Sequence, residues 1–153
     1  MRELKSIMEI SLHPNIVRLF EVHHNKRYCS VSFVFEYMQG GSLYDLLCRR
    51  EEQKLGPLRE QEIRSIIRQV LLGLNHIHKA GHMHRDLKPE NILLSGCGTV
   101  AKVADFTLAR YCHGTSASTS YVATRWYRAP GKCLLCHNSI AREQILVRGI
   151  SDT

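Results

Sequence analysis

Residues 84–91 read His-Arg-Asp-Leu-Lys-Pro-Glu-Asn, and this octapeptide carries more information about the fold than any other segment. It follows residues 58–80, in which apolar side chains recur every three or four positions, the period of an amphipathic α-helix. Pro57 lies just before that stretch, and Gly81 lies where a left-handed C-terminal cap belongs. The sequence therefore predicts a long helix that leads directly into the octapeptide.

Two further motifs lie C-terminal to the octapeptide. Asp105-Phe106-Thr107 comes fourteen residues after Asn91, and residues 124–130 read Thr-Arg-Trp-Tyr-Arg-Ala-Pro. Between them, residues 92–94 and 100–103 are predicted as short strands joined by a turn at residues 95–98, and residues 111–120, rich in Ser and Thr, as a mobile loop.

The N-terminal part of the chain mixes helix and strand. The pattern predicts a helix over residues 2–12, which Pro14 ends by pushing His13 out of the α region. Strands are predicted at residues 16–20 and 28–37, and Ser42 is predicted to cap a short helix that ends at about Arg50. This order of elements indicates an α+β fold.

The composition is that of an ordinary intracellular protein. No apolar segment is long enough to cross a bilayer, and the N-terminus has no signal-peptide core. The net charge of +7 raises the question of nucleic-acid binding, but the basic residues are scattered and few aromatics lie among them. We therefore expect neither a nucleic-acid nor a membrane partner, and free thiols rather than disulfides for the six cysteines.

Together, the octapeptide, the Asp-Phe motif and residues 124–130 resemble the catalytic loop, the magnesium-binding motif and the end of the activation segment of eukaryotic protein Ser/Thr kinases. Residues 121–130 further resemble the group of MAP kinases, cyclin-dependent kinases and their ciliary MAK-like relatives. The resemblance implies a partial bilobal kinase fold over residues 1–130, with 1–38 as small-lobe remnant and hinge and 39–130 as part of the large lobe. It implies ATP and Mg²⁺ as cofactors. It places the protein in the cytoplasm or the nucleus and leaves the cilium open.

Family resemblance implies catalytic roles for four residues of the octapeptide. Asp86 would accept the proton of the substrate hydroxyl, and Lys88 would lie against the transferring phosphate. Asn91 would hold magnesium together with Asp105, through hard oxygen ligands. Arg85 would meet a phosphate on the activation segment. The alternative, that these carboxylates are ordinary surface groups, is disfavoured by the surrounding motif.

Upstream residues resemble the nucleotide site of the same family. Glu3 occupies the position of the helix glutamate that pairs with the ATP-binding lysine. Phe35, Glu36 and Met38 belong to a segment that resembles the hinge, whose backbone would bond the adenine edge, and Leu93 would lie under the adenine. Core packing is the alternative role for the apolar members, and the two roles are compatible.

The activation segment is expected to carry regulation and specificity. Thr119 and Tyr121 resemble the dual phosphorylation motif of MAP kinases, which would make an upstream activating kinase a partner; a flexible Ser/Thr-rich loop is an equal alternative. Thr124 and Arg128 would contact protein substrates, and Arg128 would favour proline after the phosphoacceptor, since proline has no N–H that needs a partner.

Several positions depart from the family pattern. Thr107 and Gly131 replace the glycine of Asp-Phe-Gly and the glutamate of Ala-Pro-Glu, while the Gly-rich loop and the ATP-binding lysine are absent from these 153 residues. Residues 131–153 match no kinase helix and are expected to be a disordered tail. We therefore expect a kinase fragment; the alternative is an inactive truncated product with a binding or regulatory role, or a misjudged exon boundary.

Two cysteine and histidine patterns resemble metal or haem sites. Residues 133–137 read Cys-Leu-Leu-Cys-His, the attachment pattern of c-type haem or half a zinc site, but no second pair at zinc spacing follows. His76, His78, His82 and His84 cluster in sequence at the end of the predicted long helix. Neither pattern is expected to bind a metal, because the first lies in the unmatched tail and His84 belongs to the catalytic-loop motif.

Overall fold

A computed structural model describes Met8, residues 10–105 and residues 110–111 of the chain. Two helices and seven short strands make up this part, and the expected α+β class is confirmed. In chain order they are β1 (Leu19–Asn25), β2 (Ser30–Phe35), β3 (Gly41–Ser42), α1 (Leu43–Glu52), α2 (Glu60–Lys79), β4 (His82–Met83), β5 (Ile92–Leu94), β6 (Ala101–Val103) and β7 (Arg110–Tyr111). Of the helix predicted over residues 2–12, Met8 and Ile10 are described, and both are helical.

β1 and β2 form an antiparallel hairpin, and β2 confirms the centre of the strand predicted at residues 28–37. The strand predicted at residues 16–20 is wrong in its first half, because only Leu19 and Phe20 belong to β1. The reason is a competing pairing: the Val17 N–H donates to the Val103 carbonyl and the Val103 N–H donates to the Asn15 carbonyl, both at 2.9 Å. Residues 15–17 therefore pair with β6, and the hairpin starts two residues later.

Helix α1 begins at the cap that the sequence predicts. The Ser42 hydroxyl accepts the Asp45 N–H at 3.1 Å, and the Asp45 carboxylate accepts the Ser42 N–H at 2.9 Å, which completes a capping box. The helix runs to Glu52, two residues past the predicted end. Its capped start anchors the segment that leads from the first third of the chain to α2.

Helix α2 covers all but the ends of the predicted range 58–80. Leu58 and Arg59 precede it, since Arg59 is extended and its N–H donates to the Glu62 carboxylate at 2.8 Å. Ala80 is the C-cap, and Gly81 has the left-handed backbone expected there, with φ of +77°. The helix thus delivers the chain into β4 and the octapeptide.

One face of α2 packs against β5, β6 and the loop before β1. The buried members of this core are Ile10, Ile16, Ile66, Val70, Leu74, Ile77, Ile92, Leu94, Ala101 and Val103. Ile63 and Ile67 belong to the predicted apolar stripe but are 41% and 51% exposed. The apolar stripe is wider than the face of α2 that is buried. Ile63 and Ile67, at the edge of the stripe, therefore lie outside the core that the described residues form.

A three-stranded antiparallel sheet in the order β3-β5-β6 supports the site. The predicted turn at residues 95–98 is confirmed: the Gly98 N–H donates to the Ser95 carbonyl at 2.8 Å, and Gly98 has φ of +70°. β4 pairs with β7, which places the chain after Asp105 beside the strand that precedes the octapeptide. No helix in the described ranges combines the length and apolar character needed to span a membrane.

Candidate active site

His84 anchors the start of the octapeptide in the core. Its ring is fully buried, and its Nε2 lies 2.8 Å from the Ala104 carbonyl oxygen. Since a carbonyl only accepts, Nε2 donates, and Nδ1 is then free to accept the Asp86 N–H at 3.3 Å. The histidine therefore links the octapeptide to the residue that precedes Asp105.

Asp86, Lys88 and Asn91 form one polar cluster. The Lys88 ammonium lies 2.9 Å from the Asp86 carboxylate, and the Asn91 amide nitrogen donates to the Asp86 carbonyl at 2.9 Å. The same nitrogen lies 3.4 Å from the Asp86 carboxylate, and Asp86 and Asn91 are 8% and 7% exposed. A 3-10 helix at Pro89–Asn91 turns the chain so that these residues, up to five apart in sequence, converge. The structure brings them together, and their catalytic roles stay a prediction.

The negative charges around Lys88 keep it an ammonium ion. The hydrogen bond to Asp86 raises the pKa of Lys88, and the charges of Asp86, Glu90 and Asp105 add to this despite some burial. A lysine in this field is fully protonated at neutral pH. It is therefore a permanent positive charge next to a carboxylate, an arrangement suited to a phosphate-transferring site.

Asp105 is joined to the same cluster through its neighbour. The Ala104 N–H donates to the Asn91 carbonyl at 2.8 Å, while the Ala104 carbonyl receives His84. Asp105 itself is an exposed residue, and its negative charge acts on Lys88. The structure thus places the backbone just before Asp105 next to the octapeptide, and the role of Asp105 stays a prediction.

Arg85 and Asp105 have left-handed backbones, with φ of +72° and +61°. Non-glycine residues rarely adopt this region, and the described part of the chain has two others there, Cys29 and Lys54, both in turns. No glycine marks position 85 or 105, so sequence patterns gave no signal for these two backbones. At Arg85 and Asp105 the unusual backbone falls within the two motifs that the family resemblance singles out.

A small apolar cluster lies beside the polar one. Val17, Met38 and Ala104 are buried together, and Leu93 packs against them. Met38 belongs to the predicted hinge-like segment, and Leu93 is the residue predicted to lie under an adenine. The structure therefore brings these two predicted nucleotide contacts side by side, whereas the Phe35 side chain is 42% exposed at the end of β2.

The side chain of Glu36, for which the sequence predicts no contact, binds two neighbouring segments. Its carboxylate accepts the Lys102 ammonium at 2.6 and 2.7 Å and the Arg18 N–H at 3.2 Å. Lys102 has no predicted role, although its position between two apolar strand residues indicates a side chain on the opposite face of the strand. Asn15 and Gln69 were missed as well: the Asn15 amide donates to Gln69 at 3.1 Å and to the Ala101 carbonyl at 3.1 Å.

The remaining predicted site residues lie outside the described part of the chain: Glu3, Thr119, Tyr121, Thr124 and Arg128. The same holds for Thr107 and for the Cys-Leu-Leu-Cys-His segment. Of the histidine cluster, His84 contacts Ala104, and His82 Nδ1 lies 2.9 Å from the Ala80 carbonyl. Among the described residues no group of three or more His, Cys, Asp and Glu side chains could hold a metal ion, and Cys29, Cys48 and Cys97 are free thiols.

A model of the protein kinase domain matches residues 1–143 of the chain. The rat serine/threonine-protein kinase ICK is 48% identical over 130 residues, which are 85% of this chain and 19% of that relative. The mouse serine/threonine-protein kinase MAK is 46% identical over 130 residues, also 85% of this chain, and 20% of its own length is covered. Cyclin-dependent kinase F-3 of rice is 46% identical over 130 residues, again 85% of this chain, with 28% of its length covered.

The chain belongs to the protein kinase family. Its similarity to MAK and to cyclin-dependent kinases confirms the group that residues 121–130 indicate. The chain spans between 19% and 28% of the length of these three relatives. The matched range also includes residues 131–143, part of the predicted tail. As a family, protein kinases use ATP and Mg²⁺ and act on protein substrates.

Proposed function

We propose that the protein to which this chain contributes transfers the γ-phosphoryl group of ATP to serine or threonine hydroxyls of other proteins. The observation that carries the proposal is the cluster of Asp86, Lys88 and Asn91, joined to Asp105 through Ala104. Phosphoryl transfer needs positioning and charge stabilisation more than covalent chemistry, and this cluster supplies a base, a fixed cation and hard oxygen ligands. The names of the similar kinases point to the same acceptor residues.

Asp86 acts as the acceptor for the proton of the substrate hydroxyl. Its carboxylate is held on one side by Lys88 and its backbone by Asn91, so it is oriented before substrate arrives. Lys88 serves at the same time as the positive charge next to the transferring phosphate. The Lys88 ammonium already lies 2.9 Å from the Asp86 carboxylate. Its charge is therefore close both to the group that takes the proton and to the phosphate that is transferred.

Asn91 and Asp105 would hold the magnesium ion. The Asn91 amide nitrogen donates to Asp86, which directs the amide oxygen away from that contact, and the Asn91 carbonyl accepts the N–H of Ala104, the residue before the exposed Asp105. Amide and carboxylate oxygens are the ligands that Mg²⁺ accepts, so the residues fit the ion. When bound, magnesium neutralises the charge of the ATP phosphates.

The nucleotide base is proposed to bind over Leu93, against the backbone of residues 36–38. Leu93 and Met38 pack into one apolar cluster, which suits the face of an adenine. Phe35 and Glu36 lie at the edge of this slot, and Glu3 is proposed as the partner of an ATP-binding lysine. These assignments extend the family resemblance to named positions.

Three finer proposals concern substrate choice and control. Arg128 and Thr124 bind the substrate segment and favour proline after the phosphoacceptor. An upstream kinase phosphorylates Thr119, with Tyr121 as a second site, and the phosphate then pairs with Arg85. Substitution of Thr119 by Ala should accordingly lower the activity, and unchanged activity would count against this control.

The test is phosphate transfer by the protein purified as its cells express it, compared with Asp86→Asn. The substrates are two peptides that differ only in Pro or Ala after the serine. Loss of the proton acceptor should lower kcat/KM by roughly 10²–10⁴-fold, because the substrate hydroxyl then has no group to take its proton. Glu52→Gln, an exposed carboxylate at the end of α1, is the matched control and should keep full activity.

Equal activity of Asp86→Asn and wild type would contradict the proposed base. Equal rates for the two peptides would contradict the proline preference and leave the kinase activity standing. A protein that binds MgADP but transfers no phosphate to either peptide would contradict the proposed function.

A further inference from the structure

One ion pair joins the hinge-like segment to the strand that leads to the catalytic residues. Both oxygens of Glu36 accept the Lys102 ammonium, at 2.6 and 2.7 Å, across 66 positions in sequence. The Arg18 N–H also donates to Glu36, and the Glu36 N–H donates to the Arg18 carbonyl at 2.8 Å. The lysine and glutamate side chains are only 16% and 27% exposed, so salt and water screen the pair less than a surface pair.

Lys102 lies at the centre of β6, the strand that leads into Ala104. Its neighbours Ala101 and Val103 are fully buried against the core, so Lys102 projects to the opposite face. Two residues further on, Ala104 is bonded to His84 and to Asn91. Lys102 itself makes its ion pair on the opposite face of this strand, towards Glu36.

The hinge-like segment has few other side-chain anchors. Tyr37 is 84% exposed and Phe35 is 42% exposed, whereas Met38 is buried. Burial alone would raise the pKa of Glu36, but the Lys102 ammonium and the Arg18 N–H outweigh it and lower the pKa overall, so the carboxylate is ionised at neutral pH. The ion pair is thus the side-chain contact through which Glu36 ties this segment to β6, next to the packing of Met38 on Ala104 and Leu93.

We propose that Lys102 is a positioning residue for the nucleotide: by holding Glu36, it keeps the backbone of residues 36–38 at a set distance above Leu93. This inference rests on the proposed function, because it assigns the base slot to those residues. A backbone edge held in place before binding loses less conformational freedom when the base arrives, and affinity rises accordingly. Lys102 touches neither the phosphates nor the substrate hydroxyl, so its effect falls on binding and not on the chemical step.

The experiment measures the Kd of a fluorescent MgADP analogue, together with KM for ATP and kcat, in the protein as its cells express it. Lys102→Met and Glu36→Gln should each raise Kd and KM on the order of tenfold and leave kcat unchanged. The double variant should bind the MgADP analogue no more weakly than either single variant, because each single substitution already removes the same contact. Lys102→Arg should recover most of the affinity, since a guanidinium pairs with both carboxylate oxygens.

Lys79→Met is the matched control, because Lys79 is an exposed lysine at the end of α2, and its Kd should equal that of wild type. Thermal unfolding of each variant separates loss of fold from loss of affinity. Wild-type affinity in folded Lys102→Met or Glu36→Gln would overturn the positioning role alone. Failure of the wild-type protein to bind the MgADP analogue would overturn the proposed function and this inference with it. A drop in kcat at unchanged Kd in Lys102→Met would also overturn the positioning role of Lys102.

Discussion

At the scale of single residues, His13 illustrates how burial changes the pKa of a side chain. Its ring lies 4.8 Å from the ring of His76, and its Nδ1 accepts the Asn15 N–H at 3.1 Å. Burial, and secondly the nearby His76, lower the pKa of His13 below its usual 6.5. The folded chain therefore binds fewer protons at this position than the unfolded chain, and acid should destabilise the fold.

We predict that His13→Asn reduces the loss of stability in acid. With the folded pKa lowered, the contribution of His13 is complete above pH 6.5 and is lost as the pH falls below that value through the folded pKa. Asparagine does not titrate, and its side-chain oxygen can accept the N–H two residues on. Urea unfolding midpoints between pH 7.5 and 5 measure the effect, which should be a flatter pH dependence in the variant.

His24→Asn, on an exposed strand position, is the control and should follow the wild type. Parallel pH curves for His13→Asn and wild type would show that His13 does not couple folding to protons.

At the scale of elements, α2 shows that one helix can carry isoleucines in two different environments. Ile77 is 0% exposed and packs in the core against the sheet, whereas Ile67 is 51% exposed on the same helix. Both belong to the apolar stripe that the sequence predicts. Burial in the core, and not membership of the apolar stripe, determines how much each side chain stabilises the fold.

We predict that Ile77→Ala lowers the free energy of unfolding by about 2–5 kcal/mol, because it opens a cavity in the core. Ile67→Ala removes the same atoms from the same helix at an exposed position and should change it by no more than about 0.5 kcal/mol. Urea unfolding monitored by circular dichroism gives both values. Equal losses for the two variants would mean that Ile67 is buried in the protein as it occurs in solution.

At the scale of the whole described molecule, β6 joins the first third of the chain to the rest. Its backbone pairs with Asn15 and Val17, and the Asn15 carbonyl that accepts the Val103 N–H also faces Gly73 of α2. A Cβ atom on Gly73 would lie 2.7 Å from the Asn15 carbonyl oxygen and 3.3 Å from a methyl of Val103. The loop, the helix and the strand meet at this point with no room for a side chain.

We predict that Gly73→Ala destabilises the fold. Alanine improves helix propensity by about 1 kcal/mol, but the clash with a backbone oxygen forces the loop and helix apart at a cost of roughly 1–3 kcal/mol. The midpoint of urea unfolding should fall. The MgADP affinity should fall with it, since the loop at residues 15–17 includes Val17 of the apolar cluster. Gln61→Ala, an exposed position on α2, should leave both unchanged; a higher midpoint for Gly73→Ala would contradict the close packing.

The sequence by itself determined the local structure and the family of this protein. The helix caps at Ser42 and Gly81, the turn at residues 95–98 and the motif at residues 84–91 depend on residues that are close along the chain, so patterns in the sequence reveal them. Asp86, Lys88 and Asn91 also converge within a few positions of one another along the chain.

Only the tertiary structure decided which distant groups meet. Residues 15–17 pair with β6 instead of extending β1, Ile63 and Ile67 lie outside the core, and Glu36 binds Lys102 across 66 positions. No local propensity encodes such contacts, because each depends on how α2 and the β5–β6 hairpin pack against the loop before β1. The left-handed backbones of Arg85 and Asp105 have the same origin, since the surrounding contacts hold them in place.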